Sequence, residues 1–134
     1  MRSFPALLAA AALFLAAPRA YAAPGSPRAA HTTTLLATGD VLIAGGQSGA
    51  GAAGRLKTAE LLLSSNGTNY ADTANTMSVE RASATATNLP NGLVLIAGGI
   101  DASNTVRNDV EVYDPATRTF AAPLLASSTR GGIR

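Results

Sequence analysis

An internal repeat is the sequence feature that most constrains how this chain can fold. Residues 28–46 align with residues 81–99 at a shift of 53, and 12 of the 19 positions are identical. The later parts of the two units align more loosely, with Glu60 opposite Glu111 at a shift of 51. A self-similarity at about 50 residues is typical of architectures that stack one supersecondary unit. The chain is therefore predicted to build its fold from two copies of such a unit.

Each unit carries the signals of four short β-strands separated by turns. Turn-forming residues interrupt the strand-like stretches at Gly39, at Asn91-Gly92 and at Pro115. No segment after residue 31 shows a sustained 3.6-residue period, so the fold class is predicted to be all-β. The predicted strands cover residues 32–36, 41–44, 58–63, 85–89, 93–97 and 109–113, and two short fourth strands end on Tyr70 and Phe120.

The second strand of each unit, at residues 41–44 and 93–97, is a continuous apolar run. A strand with one wet face alternates apolar and polar residues, and these strands do not, so we expect both of their faces to be buried. Radially packed four-stranded sheets bury their strands in this way. Together with the repeat length, this pattern indicates blades of a β-propeller.

The segments HTTTLLATGDVLIAGG and TNLPNGLVLIAGG, followed by VEVYDPATRTF, resemble bacterial kelch repeats. That family is marked by a diglycine after the second strand, then a tyrosine, then an aromatic residue near the fourth strand. The resemblance covers residues 28–130 and implies a kelch-type β-propeller segment of about two four-stranded blades. The positions that carry it are Gly45, Gly46, Gly98, Gly99, Tyr113, Tyr70 and Phe120, whereas Leu62 replaces the tyrosine in the first unit.

The diglycines are interpreted as turn and packing devices, because glycine lets the chain turn sharply and lets a neighbouring segment approach. A phosphate-binding role is disfavoured, since no helix follows them and no nucleotide-binding glycine spacing is present.

The first 22 residues have the pattern of a secretory signal peptide. Arg2 precedes an apolar stretch at 6–17, and the segment ends in Ala20-Tyr21-Ala22, an A-x-A cleavage site. Residues 23–30 are interpreted as a short spacer. Cleavage would remove two of ten basic residues and leave eight against eight acidic ones, so we expect no nucleic-acid partner. The predicted location is secreted or periplasmic in a bacterium, with no membrane attachment after cleavage.

The repeats are predicted to occupy residues 31–80 and 81–129, with residues 130–134 opening a third unit at Arg130. Propellers close with about four to eight blades, and two are encoded here. An open pair of blades would expose apolar faces that each repeat normally buries on its neighbour. We therefore expect either a fragment of a longer propeller or self-association that completes a ring.

Glu60 and Glu111 recur at equivalent positions, which raises the hypothesis of paired carboxylates. Equivalent positions lie in different blades, however, and Arg28 and Arg81 open the two units. A structural ion pair between each glutamate and an arginine is therefore the favoured interpretation.

Other polar candidates are weighed against structural roles. His31 is the chain's one histidine, and Ala84 takes its place in the second unit, so local packing is favoured. The sequon at residues 66–68 is interpreted as an Asn-Gly turn. Oxygen ligands for calcium are offered by Asp101, Asn104, Asn108 and Asp109, but their spacing fits no calcium-loop pattern, so neither a metal nor a cofactor is predicted.

The residue composition reduces the number of function classes that fit the chain. Galactose oxidase has a kelch propeller, and its copper site uses two tyrosines and two histidines, one tyrosine being cross-linked to cysteine. This chain has no cysteine and one histidine, so it is not predicted to be an enzyme. The favoured function is a binding module for a protein or carbohydrate, with contact through the loops at 47–56 and 100–108. The alternative is a fragment of a larger kelch or galactose-oxidase-like protein without independent activity.

Overall fold

Each repeat unit folds into an antiparallel sheet in which strands that follow one another along the chain lie side by side. The structure, a computed structural model, describes residues 27–65 and 69–125. The predicted signal peptide, the sequon at 66–68 and the predicted third unit at 130–134 lie outside the described residues. Within the described ranges, no helix is long and apolar enough to cross a membrane.

Blade 1 is the first sheet, with strand order β1-β2-β3-β4. A tight turn at Gly39 joins the first two strands, and a loop that contains a 3₁₀ turn at Ala52–Gly54 leads to the third. The register pairs Leu42 with Leu61, which places both on one face. The strands are β1 (Thr32–Leu35), β2 (Val41–Ala44), β3 (Ala59–Leu62) and β4 (Tyr70–Asp72).

Blade 2 is the second sheet, and its first three strands repeat the arrangement of blade 1. The fourth position is taken by two short strands in succession, which pair with opposite ends of the same neighbour. The strands are β5 (Thr85–Asn88), β6 (Val94–Ala97), β7 (Asp109–Asp114), β8 (Thr119–Phe120) and β9 (Leu124–Leu125). The all-β prediction is confirmed, whereas β4 begins at Tyr70, where a strand end was predicted.

The hydrophobic core lies between the two sheets. Its fully buried members come from one face of each blade, and β1 and β5 are the strands that approach each other. Blade 1 contributes Leu36, Leu42, Ala44, Ala59 and Leu61, and blade 2 contributes Val94, Ile96, Tyr113 and Phe120.

Burial of both faces of the apolar strands was expected, and this expectation is wrong for the described residues. Burial alternates along β2 and β6, so Leu42 and Ala44 are buried while Val41 and Ile43 are half-buried. The physical reason is that each sheet has a described sheet packed on one face. The other face carries the same apolar residue types without that cover.

Residues 73–81 connect the blades and pack between them. Met77 is 1% exposed and belongs to the core, and its N–H donates to the Lys57 carbonyl at 2.9 Å. The Asn75 amide holds the Phe120 main chain on both sides, because its Nδ2 donates to the carbonyl and its Oδ1 accepts from the N–H. The linker therefore ties the segment just before β3 of blade 1 to β8, the outer strand of blade 2.

Candidate functional site

A buried polar cluster in blade 1 is built around Arg28, which precedes β1. Its Nη1 donates to the Gly45 carbonyl at 2.9 Å and to the Thr58 carbonyl at 3.0 Å. Its Nη2 donates to Glu60 Oε1 at 2.6 Å, and both side chains are buried. One guanidinium thus joins the diglycine to the third strand of its own blade.

Arg81 occupies the equivalent place in blade 2 and is fully buried. Its Nη1 donates to the Gly98 carbonyl and to Asp109 Oδ1, both at 2.9 Å. Its Nη2 donates to Glu111 Oε1 at 3.1 Å. The second oxygen of Glu111 accepts from the Ser78 N–H at 2.8 Å, so this carboxylate also holds the linker between blades.

The contacts of Arg28 and those of Arg81 involve equivalent positions of the two repeats. Each arginine binds a diglycine carbonyl, the first residue of the third-strand region, and a glutamate two residues later. Glu60 lies on Arg28 and Glu111 lies on Arg81, as the structural interpretation of these glutamates required. The two carboxylates serve separate blades, so they do not form an acid–base pair.

Blade 2 extends this pair into a chain of charges. Arg107 donates to Asp109 Oδ2 at 2.7 Å and to Asp101 Oδ2 at 3.2 Å. Hydrogen bonds from Arg107, together with those from Arg81, hold the pKa of Asp109 well below its usual range. The Thr105 N–H is the main cause of the lowered pKa of Asp101, and Asp109 raises the pKa of Arg107.

The same arrangement bears on the calcium hypothesis for this loop. Both oxygens of Asp109 and Oδ2 of Asp101 face guanidinium groups, and Asp101 Oδ1 accepts from two backbone N–H groups. Among the described residues, no three His, Cys, Asp or Glu side chains converge as metal ligands. The loop is thus held by arginine.

The two long loops lie against each other at one end of the sheets. Arg55 in the first loop donates through Nη1 to the Asp101 carbonyl in the second. The first loop is closed by main-chain bonds, including Ser48 N–H to the Gly54 carbonyl at 2.8 Å. Val106 in the second loop is 76% exposed. The loops form one composite surface, which we call the loop surface (residues 47–56 and 100–108).

The diglycines differ between the blades. Gly45 has φ of +65°, and a Cβ added there would overlap the Arg81 carbonyl oxygen. Gly98 has φ of +68°, but the nearest atom to an added Cβ is the Arg107 carbonyl oxygen at 3.7 Å. The following glycine of each pair, Gly46 or Gly99, is crowded by the start of its own blade. Gly45 is therefore the glycine that blade-on-blade packing requires.

Of the aromatic positions, Tyr113 and Phe120 belong to the core and Tyr70 does not. Tyr113 and Phe120 are buried with ring centroids 4.9 Å apart, and Tyr70 is half-buried at the start of β4. The Tyr113 hydroxyl is buried and has no hydrogen-bond partner among the described residues, and burial raises its pKa. His31 is exposed, and its Cβ packs close to Gly46.

Sequence reasoning missed the residues that join the blades and loops, namely Arg55, Asn75, Met77 and Arg107. Arg107 carried a usable signal, because it lies two residues before an aspartate and would extend from the same strand edge. Met77 and Asn75 carried none, since they lie outside the aligned segments and their role depends on how the blades pack.

Comparison with known proteins supports the kelch resemblance. A kelch motif matches residues 81–121, which is most of blade 2. No curated protein matches the chain. Among matching solved structures is a fungal alcohol oxidase of the AA5 family in complex with copper, with a TM-score of 0.52 and 22% identity. The match covers 69% of this chain and 18% of the oxidase, and it shows the fold alone.

Because that oxidase is in complex with copper, we compare the residues of this chain with the requirements of a copper site. The chain has no cysteine, and its one histidine, His31, is exposed at the edge of blade 1. Tyr113 is enclosed in the core between the blades, and Tyr70 lies on the opposite face of blade 1. These residues do not converge, so they do not fit a copper site of the tyrosine–histidine kind.

Proposed function

We propose, from the premise that the chain is a kelch-repeat β-propeller segment, that it is an exported, non-catalytic module that binds a protein or carbohydrate. The observation that carries the proposal is the loop surface, where the two long loops within the blades meet through the Arg55–Asp101 contact. A rigid scaffold that presents joined loops is the usual arrangement for recognition in repeat folds. Val106 is its most exposed apolar side chain among the described residues.

A non-catalytic role is supported by the chemistry of the charged groups. Asp101, Asp109 and Glu111 each bind an arginine side chain, so these carboxylates are engaged in structural ion pairs rather than free to act on a substrate. Incubation with copper(II) and a panel of primary alcohols is expected to yield no hydrogen peroxide. Copper-dependent peroxide formation would contradict the non-catalytic role.

The binding role is tested with a probe panel made of cellulose, chitin and peptidoglycan, together with purified cell-surface proteins. We expect Val106→Asp to weaken binding to the retained probe about tenfold, which corresponds to about 1.4 kcal/mol. Leu35→Asp is the matched control, because Leu35 is 64% exposed and pairs with Val41, at the end of blade 1 opposite the loops. Equal weakening by both variants, or no retained probe, would contradict the proposal.

Export is tested separately by expressing the whole chain in a bacterium. The mature protein should appear in the periplasmic or culture fraction with Ala23 as its first residue. Retention in the cytoplasm with an intact Met1 would show that residues 1–22 are not a cleaved signal.

A second candidate is that the two blades act only as part of a larger propeller. It is favoured by one observation, that the chain spans 18% of the oxidase that it resembles in fold. Under this alternative, the isolated chain would retain no probe from the panel.

A further inference from the structure

Each blade has one apolar face on which no described strand packs. On blade 2 this is the distal face, formed by Leu95, Ala97, Val110 and Val112. On blade 1 it is the proximal face, formed by Val41, Ile43, Leu62 and Tyr70. All eight side chains are half-buried. These two faces do not belong to the loop surface, so the proposed binding role does not account for them.

The repeat indicates what could cover these faces, because two equivalent faces already pack together between blade 1 and blade 2 of the same chain. The distal face of blade 2 is equivalent to the buried face of blade 1, with Leu95 matching Leu42 and Ala97 matching Ala44. The proximal face of blade 1 is equivalent to the buried face of blade 2, with Val41 matching Val94. The chain therefore carries both halves of one interface a second time.

Main-chain hydrogen bonds show the same complementarity. Between the blades, Gly46 N–H donates to the Arg81 carbonyl at 2.7 Å, and Arg81 N–H donates to the Leu56 carbonyl at 3.0 Å. The equivalents of Gly46 and Leu56 on blade 2 are Gly99 N–H and the Arg107 carbonyl, and neither has a partner among the described residues.

On the other side, the equivalent of Arg81 is Arg28. Its main-chain N–H and carbonyl are likewise without partners among the described residues, although its Nη1 and Nη2 are bound within blade 1. Arg28 of one chain would therefore offer a donor and an acceptor that match Arg107 and Gly99 of another.

We propose that the chain self-associates head to tail, with the proximal face of blade 1 in one copy packed on the distal face of blade 2 in the next. The contact repeats the interface between the two blades of one chain, including the pairing of Arg28 with Gly99 and Arg107. Such an interface is heterologous, so it closes into a ring when the rotation allows. Because propellers contain about four to eight blades, a closed ring holds two to four copies.

Gly98 gives the interface a specific marker. Its counterpart Gly45 has no room for a Cβ, because the incoming Arg81 carbonyl fills that space, whereas the space at Gly98 is open. In the assembly, the Arg28 carbonyl of the next copy fills it. Gly98→Ala therefore obstructs docking with a single added methyl group.

Sedimentation velocity of the purified chain, taken up to about 100 µM, tests the proposal. We expect a species of two to four copies. Val112→Lys on the distal face and Ile43→Lys on the proximal face should each give monomers, while Thr117→Lys, on an exposed turn, should assemble like the natural chain. A natural chain that stays monomeric and melts cooperatively would overturn the proposal.

Mixing the two lysine variants distinguishes this geometry from a symmetric contact. Each variant keeps one intact face, and the two intact faces are complementary, so an equimolar mixture should form a dimer and nothing larger. A mixture that stays monomeric, or single variants that still dimerise, would refute the head-to-tail interface. If circular dichroism shows that a lysine variant does not fold, Gly98→Ala replaces it, with an expected weakening of assembly of about tenfold.

Discussion

The two blades share a backbone plan but differ in how their arginines are paired. Among the described residues, Arg28 binds one carboxylate, that of Glu60, and it also binds Thr58, the residue just before β3. Arg81 meets two carboxylates, because Asp109 stands where blade 1 has Thr58. Asp109 in turn binds Arg107, which reaches Asp101 in the loop.

The comparison distinguishes the contacts that both arginines make from the contacts that are added in blade 2. Both arginines bind the diglycine carbonyl and a glutamate, so that part holds the second and third strands of a blade together. The additional aspartates and Arg107 in blade 2 fix the loop at 100–108 by charge, whereas main-chain bonds and the uncharged side chains of Gln47 and Ser48 close the loop at 47–56. Substitutions and acid, which should act unequally on the two blades, test this difference.

Removal of the arginines should give the largest contrast. Arg81→Met leaves two buried carboxylates short of a partner, so we expect the free energy of unfolding to fall by about 3–5 kcal/mol. Arg28→Met removes one partner from a single buried carboxylate, that of Glu60. We therefore expect the free energy of unfolding to fall by about 1–3 kcal/mol. Urea unfolding followed by circular dichroism measures both. An Arg28 variant as unstable as the Arg81 variant would show that the second carboxylate contributes little.

The first glycines of the two pairs should differ next. Gly98→Ala places alanine at positive φ, which costs about 1–2 kcal/mol. Gly45→Ala adds a clash with the Arg81 carbonyl, and overpacking of this kind costs about 1–3 kcal/mol more. Thermal unfolding of dilute protein compares them. Equal melting temperatures would mean that the linker moves away from Gly45 at little cost.

Acid should act on blade 2 more than on blade 1. The pKa of Asp109 is lowered in the folded chain, so its contribution to stability is complete above the unfolded value of about 3.9 and is lost as pH falls through the folded value. Asp109→Asn should therefore lower stability at pH 7 and flatten its decline below about pH 4. Thr58→Asn is the blade 1 control and should leave the acid slope unchanged. Parallel acid curves for Asp109→Asn and the natural chain would contradict this assignment.

Much of the architecture could be predicted from the repeat, because strand pairing follows from local residue pattern. The two strand-forming apolar runs and the Arg–Glu pairs are visible as recurring letters. Burial of individual faces could not be predicted, since Val41 and Val94 are identical in type and differ only in what packs on them. The role of Arg107 depends on the shape of its loop, where Asn104 adopts a φ of +63° that the sequence pattern does not specify.

The smallest expected effect concerns Tyr113, a tyrosine of the core between the sheets whose counterpart in blade 1 lies outside that core. Blade 1 has Leu62 where blade 2 has Tyr113, whose hydroxyl is buried without a partner among the described residues. A buried hydroxyl without a hydrogen bond is unfavourable, so Tyr113→Phe should leave stability unchanged or raise it by about 1 kcal/mol. The ring contact with Phe120 is kept, and Tyr113→Leu, which loses it, is the control and should be destabilised. Urea unfolding measures the free energy of unfolding of both variants. A loss of about 1 kcal/mol or more in Tyr113→Phe would show that the hydroxyl is hydrogen-bonded in solution, as a bridging water would allow, and that this position differs between the two blades in polarity as well as in shape.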